Sequence, residues 1–248
     1  MAERCIHCGS CIAACPMGIA DGPALPDPAR CSACGRCAQV CPTGTRQLVG
    51  HPLTVPELVE IVERDRPFYE ETGGGVTFSG GEPLAQPRFL LACLEALRSR
   101  AIDTAVDTCG VAPRHLLLEA APLTGLFLYD LKIMDPARHE RVVGVPLAPI
   151  LENLRALDRA GTRIWLRVPL IPGFTDDKAN LEAVGAFAAG LETTRRLHLL
   201  PYHRFGTEKR LGLGLDDAMA EVTPPPPASL ETAVAILGGF GLDVRIGG

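Results

Sequence analysis

Eight of the ten cysteines in this chain fall between Cys5 and Cys41, in two copies of a single spacing. The first copy is Cys5-x2-Cys8-x2-Cys11-x3-Cys15-Pro16 and the second is Cys31-x2-Cys34-x2-Cys37-x3-Cys41-Pro42, a duplication displaced by 26 residues. Three thiolates at x2 intervals wrap one face of an iron–sulfur cube, and Gly9 and Gly35 let the backbone come close to sulfide. The fourth cysteine is carried away by the segment that follows and ligates the other cluster. The spacing therefore assigns Cys5, Cys8, Cys11 and Cys41 to one [4Fe–4S] cluster, and Cys31, Cys34, Cys37 and Cys15 to a second. A pair of zinc knuckles is the competing reading, but tetrahedral zinc takes two cysteine pairs per site and gives no reason for a regular quartet followed by proline.

The quartets resemble those of bacterial two-cluster ferredoxins. They head a chain of 248 residues, long enough to bury roughly three quarters of its unfolded surface without disulfides. Val142–Leu151, among the longest apolar runs, is broken by Gly144 and Pro146, far short of the ~18 residues of a membrane span. Glu3 and Arg4 lead straight into the cysteines, with no apolar signal segment, so the expectation is a cytoplasmic chain without membrane contact. The net charge of −5 includes no basic block able to track a phosphate backbone, which excludes nucleic acid as the expected partner.

After the head, strand and helix signals alternate, giving two expected domains, residues 1–46 and 47–248. Thr54 and Glu57 have capping-box spacing for a helix through about Arg64. Helical periodicity recurs over Pro87–Arg100, Pro113–Ala121, Leu147–Ala160, Lys178–Leu191 and Ser229–Phe240. Between these lie apolar strands at Val76–Ser79, Thr104–Thr108, Leu126–Lys132, Ile164–Leu170, Leu197–Pro201 and Asp243–Ile246. Strands separated by crossover helices predict an α/β fold with a mainly parallel sheet, open or closed into a barrel.

In such folds chemistry collects at the carboxyl ends of the strands. Those ends read Ser79-Gly80-Gly81-Glu82-Pro83, Asp107-Thr108-Cys109-Gly110, Asp130-Leu131-Lys132, Arg167 with Pro169–Gly173, and Pro201-Tyr202-His203. Taken singly, each has an ordinary explanation: a turn, a strand-end ion pair, a surface arginine, a loop histidine. Together they form a polar site lining. Cys93, inside an apolar helix, is expected in the core, and Cys109 is expected as a packed thiol.

The paired quartets, Gly-Gly-Glu-Pro at 80–83, Tyr-Asp-Leu-Lys at 129–132 with Met-Asp-Pro at 134–136, Arg-Val-Pro-Leu-Ile-Pro-Gly-Phe-Thr-Asp at 167–176 and Leu-Pro-Tyr-His at 200–203 resemble glycyl-radical-enzyme activating enzymes of the radical S-adenosylmethionine superfamily. The resemblance implies a partial (β/α)6 radical-SAM barrel lacking its first strand, with an N-terminal two-[4Fe–4S] ferredoxin-like segment. It implies that Gly80, Gly81 and Glu82 hold the amino group of S-adenosylmethionine and that Lys132, Arg167 and His203 line the cofactor site, with Lys132 assigned the catalytic part. Asp107, Thr108 and Asp130 would lie near the cofactor carboxylate, where a monovalent cation can bind. The implied partners are a glycyl radical enzyme and a flavodoxin- or ferredoxin-type reductant.

The pattern departs from the family in one respect. Members carry a Cys-x3-Cys-x2-Cys loop whose three thiolates leave one iron of a further cluster open to S-adenosylmethionine, and these 248 residues contain no such loop. Once the quartets are assigned, Cys93 and Cys109 remain on separate elements and cannot rebuild it. Three functions follow as expectations: an activase read from an internal methionine, with its third cluster only in a longer parent; a small iron–sulfur electron carrier on a degenerate barrel; or a fragment that binds a partner without catalysis. The barrel lining favours the first for the parent, and the missing loop favours the others for the chain itself.

Overall fold

A computed structural model describes residues 2–204 and 219–247, and the chain divides into two compact units. One is Met1–Leu53 with Arg204–Ala220; the other is Thr54–His203 with Glu221–Gly248.

In the first unit the sequence duplication is also a duplication of backbone. Short helices α1 (Ser10–Ala14) and α2 (Arg36–Gln39) each follow a left-handed glycine, Gly9 at φ 73° and Gly35 at φ 75°. Two further pairs sit 26 residues apart, His7 at 54° with Ala33 at 50°, and Gly18 at 62° with Gly44 at 63°. Left-handed non-glycine residues are uncommon, so their recurrence at matched positions marks two copies of one loop fold. Ala20 is the sole buried hydrophobic residue among the described residues of the head, while Ile6, Ile12, Met17, Leu25, Val40, Leu48 and Val49 are exposed. A segment with so little core derives its stability from what its cysteines bind.

The second unit is built on six parallel strands in sequence order: β1 (Gly75–Phe78), β2 (Asp103–Thr108), β3 (Leu126–Asp130), β4 (Ile164–Leu170), β5 (Arg196–Pro201) and β6 (Asp243–Ile246). The accompanying helices are α3 (Val55–Glu63), α4 (Arg66–Thr72), α5 (Pro87–Arg98), α6 (Arg114–Ala120), α7 (Pro136–Val143), α8 (Leu147–Arg159), α9 (Lys178–Ala189) and α10 (Pro227–Gly238). Alternation along the strands separates two faces. Val106, Phe127, Tyr129, Leu166, Val168 and Leu199 are buried in one core with Leu94 of α5, Leu154 of α8 and Leu181 of α9. The opposite face carries Ala105, Asp107, Leu128, Asp130, Trp165 and Arg167, all half-buried. The register places Asp130 beside Arg167 and Arg167 beside His198, so polar side chains on neighbouring strands meet at one level.

The expected capping box forms: Thr54 Oγ1 accepts from Glu57 N at 3.4 Å and Glu57 Oε2 accepts from Thr54 N at 2.7 Å. In the second unit two helices, α4 and α7, lie outside the sequence expectations, and both carry a proline that reads as a breaker. In each the proline occupies the first turn, where its missing N–H leaves no intrahelical bond unmade. At α7, Asp135 accepts from Arg138 N at 2.7 Å and caps the start. The third strand, expected through Lys132, ends at Asp130, although Leu131 N still donates to Arg167 O at 2.9 Å. Among the described residues no helix is long and apolar enough to cross a membrane.

Candidate active site

The turn after β1 is fixed by its own glutamate. Glu82 stands in extended backbone before the 3-10 turn Pro83–Ala85, and its Oε1 accepts from Leu84 N at 3.1 Å and from Thr108 Oγ1 at 2.8 Å. Its Oε2 accepts from Cys109 N at 2.9 Å and Cys109 Sγ at 3.0 Å. A carboxylate offers about four lone-pair positions, and these donors fill them. Glu82 thus clamps the end of β1 to the end of β2, and the exposed backbone of Gly80 and Gly81 is the part of the turn open to a ligand.

Cys109 departs from the packed-thiol expectation. It is half-buried and bonded to Glu82; burial, and then the Glu82 carboxylate beside it, push its thiol above the ordinary range. It is therefore held as a neutral donor rather than a nucleophile. Cys93 is fully buried in α5, as expected of a core residue. Thr108 is also buried, and its side chain turns to Glu82 and to Gly110 N at 2.9 Å, not toward Asp107 or Asp130.

On the half-buried face, one guanidinium joins two carboxylates. Arg167 Nε donates to Asp130 Oδ1 at 3.0 Å, Nη2 lies 2.9 Å from the same oxygen, and Nη2 donates to Asp107 Oδ1. Ser79 Oγ donates to Asp107 Oδ2 at 3.0 Å, bringing the end of β1 into the same network. Ser79 is legible in the sequence only as a strand end. Burial raises the Asp130 carboxyl above its ordinary range, with Arg167 and then Lys132 pulling the other way. Lys132 Nζ lies 3.7 Å from Asp130 Oδ2, a loose contact that leaves the ammonium able to take another anion. Lys132, Asp130 and Cys109 share the wall of a shallow cleft with Val143, Val145 and Ile150.

The network thus unites Ser79, Asp107, Asp130, Lys132 and Arg167 across β1 to β4, and Glu82 is linked to it through β2. His203 is exposed, two residues beyond the end of β5, where Tyr202 N still donates to Leu170 O at 3.1 Å.

In the head, Cys5, Cys8, Cys11 and Cys41 line one shallow cleft, with Arg46 in its wall. Three of these thiols come from the first repeat and one from the second. All ten cysteines are free of disulfides. Among the described residues no three His, Cys, Asp or Glu side chains are disposed around a single ion. A cube spreads its thiolates over separate corners, and an all-thiol donor set is soft, so the cleft suits an iron–sulfur cluster. The backbone N–H of Arg46, followed by the Thr43 hydroxyl, lowers the Cys41 thiol to about 7, toward the thiolate that metals bind. Cys8 is lowered by Ser10 and Cys15 by the backbone at Ile19.

Comparison with known proteins identifies the family. The radical SAM superfamily profile matches residues 28–182, and the 4Fe-4S dicluster domain profile matches residues 4–45. The chain is 45% identical over 172 residues to the isethionate sulfite-lyase activating enzyme of Nitratidesulfovibrio vulgaris, a match over 68% of this chain that spans 55% of that protein. It is 36% identical to the choline trimethylamine-lyase activating enzyme of Oleidesulfovibrio alaskensis over 98% of this chain and 81% of that one. A crystal structure of a domain of pyruvate-formate lyase-activating enzyme from Bacteroides vulgatus superposes with a TM-score of 0.61 at 34% identity, covering 71% of this chain and 99% of that domain. Profiles that join a dicluster domain to a radical SAM domain, and relatives that are activating enzymes along nearly the whole chain, place it in the radical SAM superfamily, among the glycyl-radical-enzyme activating enzymes.

Proposed function

We propose that this chain is the main body of an activase for a glycyl radical enzyme, and that the strand-end network of Asp107, Asp130, Lys132 and Arg167 binds the methionine end of S-adenosylmethionine. The observation that carries the proposal is the loosely held Lys132 ammonium beside a guanidinium already committed to two aspartates. A ligand carboxylate gains a charge-assisted bond from Lys132 without dismantling the Arg167 bridge. A ligand ammonium meets the exposed backbone of Gly80 and Gly81, because the Glu82 carboxylate is already full and serves to shape the turn. His203 closes the lining from the end of β5. A monovalent cation at Asp107 and Asp130 would compete with the guanidinium that already joins them.

The eight head cysteines would hold two [4Fe–4S] clusters in the crossed assignment. A further cluster with an iron open to S-adenosylmethionine would, when bound, supply the electron for cofactor cleavage and so the radical chemistry directed at a glycine of the partner enzyme. The thiolates for that third cluster are not available here: eight cysteines are committed to the head, Cys93 is buried and Cys109 is bonded to Glu82. We therefore place the Cys-x3-Cys-x2-Cys loop outside these 248 residues. The same inventory favours electron transfer as the activity of the 248 residues taken alone.

Two measurements test the proposal. Anaerobic reconstitution should saturate at about eight irons per chain, two cubes of four; four irons would remove one cluster assignment, and twelve would reveal an unrecognised ligand set. Lys132→Ala should weaken S-adenosylmethionine binding by about 1.5–3 kcal/mol, or roughly ten- to a hundredfold, with iron content unchanged. Equal affinity in the variant would show that the network is not the carboxylate site.

A further inference from the structure

The head is a duplication, so its two cluster sites can be compared residue by residue, and they differ in charge. Adding 26 to each position pairs Cys15 with Cys41, Met17 with Thr43, Ile19 with Thr45 and Ala20 with Arg46. The backbone is the same in both: glycine at 18 and 44 has φ 62° and 63°, and backbone groups of the following turn address the sulfur of the fourth cysteine in each repeat. Only the side chains distinguish them.

On the Cys41 side those side chains are polar and fixed. Thr43 Oγ1 lies 3.7 Å from Cys41 Sγ, and Thr45 Oγ1 lies 2.8 Å from Thr43 Oγ1. With Cys41 as a thiolate, Thr43 must donate to sulfur and Thr45 in turn to Thr43, a chain that strengthens the bond at its end. Arg46 is 8% exposed, and its Nε and Nη2 donate to Gly22 O at 3.0 Å and Ala24 O at 2.8 Å. Those bonds pin a full positive charge in the wall of the cleft formed by Cys5, Cys8, Cys11 and Cys41. The matched positions beside Cys15 are methionine, isoleucine and alanine, with neither a hydroxyl nor a charge. Arg36, beside the second quartet, is exposed, and its charge is screened by solvent and salt.

An electron added to a cluster makes it more negative, so a buried cation and a hydroxyl donating to a ligand sulfur both favour the reduced form. We propose that the two clusters are unequal in potential, and that Arg46 with the Thr43–Thr45 pair makes the Cys41 side the one on which an electron entering the head comes to rest. The inference depends on the two-cluster reading above. The transfer moves one electron and no proton: an electron delivered by a flavodoxin- or ferredoxin-type donor leaves the Cys15 side oxidised as before and the Cys41 side reduced by one.

The test is an anaerobic potentiometric titration of the reconstituted 248-residue chain, followed by electron paramagnetic resonance with iron counted on the same sample. Two one-electron waves are expected, separated by at least a tenfold difference in occupancy, or about 59 mV for one electron. Arg46→Gln should move the higher wave down by about tenfold and leave the lower one in place. Thr43→Val, which leaves the Arg46 bonds intact, should move the same wave in the same direction by a smaller amount, and it decides the matter where Arg46→Gln fails to retain its irons. Eight irons with coincident waves, or variants that move the lower wave or neither, would overturn the inequality while leaving the two clusters standing. Four irons would remove the two-cluster reading and the inequality with it.

Discussion

Gly110→Ala should destabilise the second unit by about 3–8 kcal/mol, enough to unfold a domain of ordinary stability at room temperature. Gly110 has φ +76°, and a Cβ there would collide with Oη and Cζ of Tyr129. Neither partner can yield. Tyr129 is fully buried and donates to Ile150 O at 2.7 Å; burial above all holds its hydroxyl far above the ordinary range, so it remains a donor. Gly110 is held through both of its backbone groups, its N–H to Thr108 Oγ1 at 2.9 Å and its carbonyl to Asn153 Nδ2 at 2.9 Å. The cost combines left-handed strain of about 1–2 kcal/mol, overpacking of about 1–3 kcal/mol and an orphaned Ile150 carbonyl of about 1–3 kcal/mol. Gly144→Ala separates these contributions, because Gly144 has φ +86° but nothing within 4 Å of the position a methyl group would take. Urea denaturation should show only the strain, about 1–2 kcal/mol, at residue 144. Equal losses at 110 and 144 would mean that the Tyr129 contact does not matter. Because Cys109 and Thr108 precede Gly110, partial disruption there would also loosen their grip on Glu82.

Much of this arrangement is legible in the sequence, for identifiable reasons. The cysteine spacing encodes backbone: the matched left-handed residues at 7 and 33, 9 and 35, and 18 and 44 follow from two loops built on the same plan. The strands are legible because each is a short apolar run between polar ends, and the polar ends meet in the fold. Helices α4 and α7 are not, because Pro67 and Pro136 act as breakers in the interior of a helix but are tolerated in its first turn, and residue type alone does not separate the two. The role of Glu82 is only partly legible. Gly-Gly-Glu-Pro marks a turn, but the saturation of the carboxylate depends on Thr108 and Cys109, 26 and 27 residues further on, which only strand pairing brings near. The same holds for Thr108, which lies next to Asp107 in sequence yet points to the opposite face, as alternation along a strand requires.

The second large effect concerns turnover. Under strong reductant and without oxygen, the reconstituted 248-residue chain should produce no 5′-deoxyadenosine from S-adenosylmethionine above an iron–sulfide control. Cleavage requires an iron open to the methionine end of the cofactor, and a cube held by four cysteines offers none. The proposed crossed assignment would give each head cluster four cysteines, and the two remaining thiols are unsuited to build another site: Cys93 has no exposed surface, and Cys109 is held neutral against Glu82. In the proposed site Lys132 would hold the carboxylate end in place, but no side chain of the network can donate an electron. Joining a segment that carries Cys-x3-Cys-x2-Cys should restore cleavage together with four additional irons, and Lys132→Ala in that extended protein should raise the cofactor concentration needed for half-maximal rate. The decisive measurement is 5′-deoxyadenosine formed by the extended and unextended chains side by side: product from the extended chain alone is the predicted result, and product at comparable rates from the 248 residues would contradict the account.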